Sequence, residues 1–293
     1  PAPRHHMIVT ANPLATQAGL AVLRAGGSAI DAAIAAQTVL GVVEPQASGL
    51  GGGAVMLAYD AATRATTSWD GRETAPAAAG PALFLNAEGR PLGFYEAGVG
   101  GRAVGVPGAL RMLEAAHRRA GRLPWARLFD EAIRLADEGF EVSPRLAAAI
   151  AENAPRLAAR SAARALYLDV NGAPLAAGAR LVNHPMAETL RARAAGGADA
   201  LLRGPIAAAI ATAVRTDPNP GLLTADDLAS YTPKERAPIC TRYRVWVVCG
   251  MGPPSSGGST VGEILGLLAH FNLPADPPEN LSLIHISEPT RLA

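Results

Sequence analysis

The segment WDGRETAP sets one guanidinium, Arg72, between two carboxylates, Asp70 and Glu73, directly after a run of strand character. A guanidinium at the end of a buried strand is well placed to grip a carboxylate through two parallel N–H bonds. The plainer alternative is an internal ion pair with Asp70 or Glu73, and position alone favours that alternative. Upstream, SGLGGGAV puts four glycines into the five positions 49–53. The segment lacks the Lys and Ser/Thr of a phosphate loop, and it precedes a strand where a dinucleotide fingerprint opens a helix. It reads first as a place where two backbones approach closely, and second as a ligand contact.

Other chemistry-bearing residues are less organised. Ser255 and Ser256 in GPPSSGG lie in no G-x-S-x-G elbow, and no S-x-x-K occurs in the chain. They are expected to shape a turn and cap the helix that follows. His5, His6, His117, His184, His270 and His285 make no metal-binding spacing, so no metal site is implied. His117 stands among arginines on a helix and is expected in solvent. Cys240 and Cys249 would lie roughly 30 Å apart in one continuous strand. If YRVW between them turns a hairpin they face each other, although that turn lacks the usual Gly or Asn. A disulfide is left open.

These residues need elements to hold them. The chain has 293 residues, 49% hydrophobic and 17% charged, enough for a sizeable core and against disorder. Net charge is +1 and Lys234 is the only lysine, so there is no electrostatic footprint for nucleic acid. The longest apolar candidate, AIDAAIAAQTVLGVV, carries Asp31, Gln37 and Thr38, and no run reaches the ~18 residues of a membrane span. Asn12 and Pro13 open a helix that Gly26 and Gly27 stop, with Leu14, Ala18, Val22 and Ala25 on one face. Ser28 and Asp31 form a capping box for a second helix, to Val43. A buried strand, Ala54 to Tyr59, and a second strand, RATTSWDG, flank a hairpin turn. Residues 107–216 are mainly helical, and Thr224 with Asp227 caps a short helix. APICTRYRVWVVCGM returns to strand character before a last helix. No linker divides two domains.

The stretches AGLAVLRAGGSAIDAAIAA, EPQASGLGGGAVML, DGRETAP, VGVPG, GLLTADDLASY and PPSSGG, in this order, resemble the large subunit of the γ-glutamyltransferase (γ-glutamyltranspeptidase, glutathione hydrolase) family. The resemblance runs from about Met7 to Leu273. Ala54 stands where the family often has another glycine, and Asp70-Gly71 before the arginine is a bacterial-type variant. The resemblance implies an α/β (α+β) N-terminal nucleophile hydrolase, a four-layer α/β/β/α sandwich that is incomplete here. It implies a precursor that cuts itself once and then works with its own small subunit. The new N-terminal Thr of that subunit attacks the γ-glutamyl amide of a glutathione-like substrate. A threonine hydroxyl needs an adjacent amine base, and the oxyanion needs preorganised donors. Both sets lie mainly on the small subunit, so no catalytic residue transfers to this chain. Thr66 and Thr67 align with the strand before Arg72 and are rejected as the processing site. One residue does transfer: Arg72 matches the arginine that holds the substrate α-carboxylate, which reverses the positional preference. No cofactor is implied, and the expected location is periplasmic or secreted.

The tail LSLIHISEPTRLA follows the loop-like FNLPADPPEN, and it back-translates with ordinary codons into a transposase-type sequencing adapter. Residues 1–280 are therefore expected to be a partial large subunit and 281–293 a non-native tail, the gene product being an enzyme and this fragment inactive. Two alternatives remain. One is a related glutaryl or cephalosporin-type acylase. The other is a binding or regulatory fragment without catalysis.

Overall fold

A computed structural model describes residues 6–271, so the expected non-native tail, 281–293, lies outside the described residues. The described residues form two compact units, 6–53 with 73–232 and 54–72 with 233–271. The second unit is thus interrupted by most of the first, a division for which the sequence offers no linker.

In chain order the elements begin with α1 (Pro13–Arg24), α2 (Ala29–Val43), β1 (Ala54–Asp60) and β2 (Ala65–Gly71). There follow α3 (Phe94–Gly98), α4 (Ala109–Ala120), α5 (Asp130–Glu138), β3 (Phe140–Glu141), α6 (Pro144–Ala158) and α7 (Ser161–Tyr167). Next come β4 (Arg180–Leu181), α8 (His184–Gly196), α9 (Asp199–Leu202), α10 (Gly204–Arg215) and α11 (Ala225–Ser230). The chain closes with β5 (Lys234–Arg236), β6 (Ile239–Tyr243), β7 (Trp246–Gly250) and α12 (Gly257–Leu268).

The first unit is helical and its ends are set by side chains. Asn12 accepts from the Leu14 N–H at 3.0 Å and Pro13 takes the first helical position of α1. The face of α1 that is buried centres on Ala15, Ala18 and Gly19 rather than on Leu14, Val22 and Ala25. Ser28 and Asp31 form the expected capping box of α2. Asp31 is fully buried and does more than cap: Oδ2 also accepts the N–H groups of Arg122 (2.8 Å) and Leu123 (3.1 Å). One carboxylate thereby ties the start of α2 to the chain leaving α4. Arg193 of α8 is buried too, donating to the Leu110 carbonyl at 3.2 Å with its guanidinium over Trp125 and Phe129. A leucine-rich cluster, Leu110, Leu201, Leu202, Leu223 and Leu228, packs with Val106 and Tyr231. At about 1.5–3 kcal/mol for each fully buried large apolar side chain, this cluster is a main source of the unit's stability. Helix α6 lies within the span read as mainly helical, though no boundaries were assigned to it; Ser143 caps it and Pro144 opens it, as in α1, but Pro155 inside the helix breaks the pattern.

The second unit holds two antiparallel pieces. The sheet order is β1-β2-β5, with Ala54 opposite Gly71 and Tyr59 opposite Thr66 in one pair, and Asp70 opposite Lys234 in the other. The turn between β1 and β2 is held by Asp60, which accepts from Ala62 N–H and the Thr63 hydroxyl. Strand β1 is not buried on both faces as expected: Val55, Leu57 and Tyr59 are exposed among the described residues while Met56 and Ala58 are partly covered. Its unbroken apolar run hides the alternation that burial imposes. Strands β6 and β7 do form a hairpin around YRVW, with Tyr243 opposite Trp246. Arg244 takes φ 53°, supplying the left-handed turn residue that Gly or Asn usually provides. Cys240 and Cys249 are directly opposite, 4.1 Å between Cα atoms, and their sulfurs are bonded.

Candidate functional site

Arg72 is the first residue after β2, and it is exposed. The residues around it are fixed by Asp70, which is buried inside the strand. Asp70 Oδ1 accepts the Arg72 backbone N–H at 2.9 Å, and Oδ2 accepts from Arg236 Nε of β5 at 2.7 Å. Burial alone would raise the Asp70 pKa. The Arg72 N–H, the Arg236 bond and the charges of Arg236 and Lys234 outweigh it and hold the carboxyl below its usual value. Asp70 therefore stays anionic near neutrality, and the chain direction at Arg72 is set by a charge-assisted bond. The carboxylate that sequence position offered as the ion-pair partner of Arg72 thus has a second arginine on it.

Glu73 has a structural duty in the first unit. Its Oε1 accepts the Gly53 N–H at 2.7 Å. A Cβ at Gly53 would fall 2.7 Å from the Glu73 Cδ and 2.9 Å from its backbone N, so only glycine fits there. Gly52 O accepts the N–H groups of Gly108 and Ala109, where α4 begins. At Gly53 the loop thus brings two backbones close together, as its first reading held, whereas a Cβ at Gly49 or Gly51 would meet nothing within 4 Å.

The remaining candidates have local roles. Thr66 and Thr67 are mid-strand in β2, opposite Tyr59 and Ala58. Ser255 shapes the turn before α12, its hydroxyl accepting the Gly257 N–H at 3.1 Å. Ser256 occupies the cap position of α12 but makes no side-chain cap bond, which corrects the expectation for it. His117 is not in solvent: its side chain is 16% exposed, its Nε2 is 2.9 Å from the Leu123 carbonyl and 3.6 Å from Asp31. Because a carbonyl only accepts, that Nε2 carries the proton. Arg236 and Lys234 escaped sequence reasoning altogether. They are brought to Asp70 by strand pairing across 166 positions in the case of Arg236, and no local signal marks them. Among the described residues no cluster of three His, Cys, Asp or Glu side chains is disposed to hold a metal ion. Among them, too, no helix is long and apolar enough to cross a membrane.

A family model described as Gamma-glutamyltranspeptidase matches residues 15–293. The chain belongs to the gamma-glutamyltranspeptidase family. It is 40% identical over 270 residues to the glutathione hydrolase proenzyme of Bacillus subtilis (strain 168), covering 91% of this chain and 45% of that protein. It is 38% identical over 272 residues to the acylase ACY 1 proenzyme of Pseudomonas sp. (strain SE83), covering 91% of this chain and 48% of that protein. The chain therefore spans about half the length of the curated relatives it matches. Among solved structures it resembles the Helicobacter pylori gamma-glutamyltranspeptidase, with a TM-score of 0.93 at 31% identity over 98% of this chain and 81% of that one. A gamma-glutamyltranspeptidase with this mixture of helices and strands is an α+β N-terminal nucleophile hydrolase, as the sequence motifs implied.

Proposed function

We propose that the protein to which this chain contributes transfers γ-glutamyl groups from glutathione-like amides to water or an amine, and that Arg72 holds the α-carboxylate of the γ-glutamyl group. The observation that carries this reading is the fixing of the Arg72 backbone by the buried Asp70, itself paired with Arg236. A guanidinium presented from an anchored backbone loses less freedom when it takes up a carboxylate. The chain supplies recognition. The nucleophilic Thr, its amine base and the oxyanion donors belong to the small subunit, with which this part of the precursor works after self-cleavage, outside the cytoplasm. On this reading the 293-residue chain alone turns over no γ-glutamyl substrate, and residues 281–293 are a non-native tail of translated adapter; sequencing the locus across codon 280 tests the latter directly.

The decisive variant is Arg72→Lys in the full-length gene product. An ammonium cannot form the two-pronged contact, and a charge-assisted bond is worth about 1.5–3 kcal/mol. KM for a γ-glutamyl anilide should rise roughly 10- to 150-fold with the melting temperature nearly unchanged. Unchanged kinetics in this variant would remove Arg72 from the site.

The similarity to the ACY 1 acylase proenzyme favours a second reading, hydrolysis of glutaryl or cephalosporin-type amides. Glutaryl lacks the amino-acid end that Arg72 is proposed to grip. Comparing γ-glutamyl and glutaryl anilides separates the two: preference for the glutaryl compound, insensitive to Arg72→Lys, selects the acylase.

A further inference from the structure

The β6–β7 hairpin and α12 meet through two glycines one helical turn apart. A Cβ on Gly250 would come within 2.5 Å of the Gly258 Cα, and a Cβ on Gly262 within 2.6 Å of the Thr241 Oγ1. Neither contact has slack. Gly250 follows Cys249 and Thr241 follows Cys240, so each bonded cysteine adjoins a position on which α12 rests. Between β7 and α12 lies a cavity of about 270 Å³ lined by Cys249, Gly250, Met251, Ser255, Gly258 and Val261 among others. Cys240 is exposed, whereas Cys249 is half-buried.

We propose that the Cys240–Cys249 bond is a thiol-exchange site that governs how α12 and the turn 253–258 seat on the hairpin. The attacking group is a low-molecular-weight thiolate. It attacks Cys240 Sγ, the more exposed residue's sulfur; the protein S–S bond breaks, a mixed disulfide forms on Cys240, and Cys249 leaves as a thiolate at the cavity wall. A second thiolate attacks the external sulfur of that mixed disulfide and releases Cys240, giving one small disulfide. The protein bond gains two electrons, two small thiols lose them, and both cysteine thiolates take protons from water. A small disulfide reverses the sequence. The consequence reaches α12 because, among the described residues, β6 and β7 pair with each other alone while α12 packs on both, and a two-stranded hairpin without further support is marginal in water. Without the cross-link Gly250 and Thr241 lose their fixed spacing, and the two close contacts with α12 open.

The test uses the full-length gene product, purified without reductant and titrated with 2-mercaptoethanol, which carries no γ-glutamyl group and so leaves the proposed activity out of the readout. Alkylation with mass spectrometry should find neither cysteine reactive at first, a transient adduct on Cys240, and finally both cysteines reactive. Amide exchange over residues 250–262 should then quicken about tenfold, with α1 and α2 unchanged. The Cys240→Ser/Cys249→Ser variant should exchange over 250–262 like the reduced chain. Cysteines already reactive before thiol is added, an adduct on Cys249 instead, or protection over 250–262 that ignores reduction would each overturn the proposal. If the double variant does not fold, reduction of the native chain decides alone.

Discussion

Replacing Asp70 by Asn tests how much of the Arg72 site rests on one buried charge. The amide keeps an oxygen for the Arg72 N–H but loses the charge-assisted bond to Arg236. Such a bond is worth about 1.5–3 kcal/mol, and the Arg236 side chain is 39% exposed, so solvent reduces the loss to about 1–2 kcal/mol. For a chain of this size that is a fall in melting temperature of roughly 3–6 °C at pH 7. The sign with pH follows from the depressed Asp70 pKa. The stabilisation is complete above about pH 4, the ordinary carboxylate value, and disappears as pH falls through the lower folded value. Calorimetry from pH 7 down to pH 2 should show native and variant curves converging in acid. On the proposed role of Arg72, KM in the full-length gene product should rise about 3- to 10-fold with kcat nearly constant, because Asp70 holds the Arg72 backbone. Equal melting temperatures at pH 7, or a difference that persists undiminished to pH 2, would refute the argument.

Three further outcomes follow from the packing. Gly53→Ala forces a methyl group onto Glu73 and should cost about 1–3 kcal/mol in urea unfolding. Asp31→Ala removes the acceptor for Ser28, Arg122 and Leu123, and should lower stability by about 3–5 kcal/mol, with faster amide exchange at Arg122 and Leu123. Burial pushes the Arg193 pKa down to about 10 against the pull of Glu114, so its charge is held at a cost. Arg193→Met, which keeps the volume and drops the charge, should therefore be neutral or stabilising by up to about 4 kcal/mol. Arg193→Ala, which leaves a cavity beside Trp125 and Phe129, should lose about 3–5 kcal/mol. Urea midpoints separate the two outcomes.

What could be read from the sequence was whatever is encoded within one helical turn. Asn12 with Pro13, Ser28 with Asp31 and Thr224 with Asp227 each announce a helix start, and each makes the bond its type suggests. Ser143 with Pro144 sends the same signal for α6, but Pro155 obscures the helix behind it. The place of Arg72 directly after a strand was legible. Its support was not, because Asp70 finds Arg236 through sheet pairing that no local pattern records. The cysteines fall between these cases. Their spacing permits a hairpin, yet the turn depends on Arg244 accepting a left-handed backbone for which its residue type gives no cue. His117 was misplaced for a related reason: its arginine neighbours in sequence point outward, while its own ring turns toward Asp31 from another helix.

The separation of Asp70 from Arg236 also sets a clock. The two residues lie 166 positions apart, with most of the helical unit encoded between them. At roughly 5–20 residues per second, a ribosome takes on the order of ten to thirty seconds to pass from one to the other. For that time β2 lacks its neighbour β5, and Asp70 lacks the Arg236 guanidinium. The helical segment 73–232 is made in the interval, before β5 emerges. The strand that anchors Arg72 is therefore synthesised well before the partner that completes it.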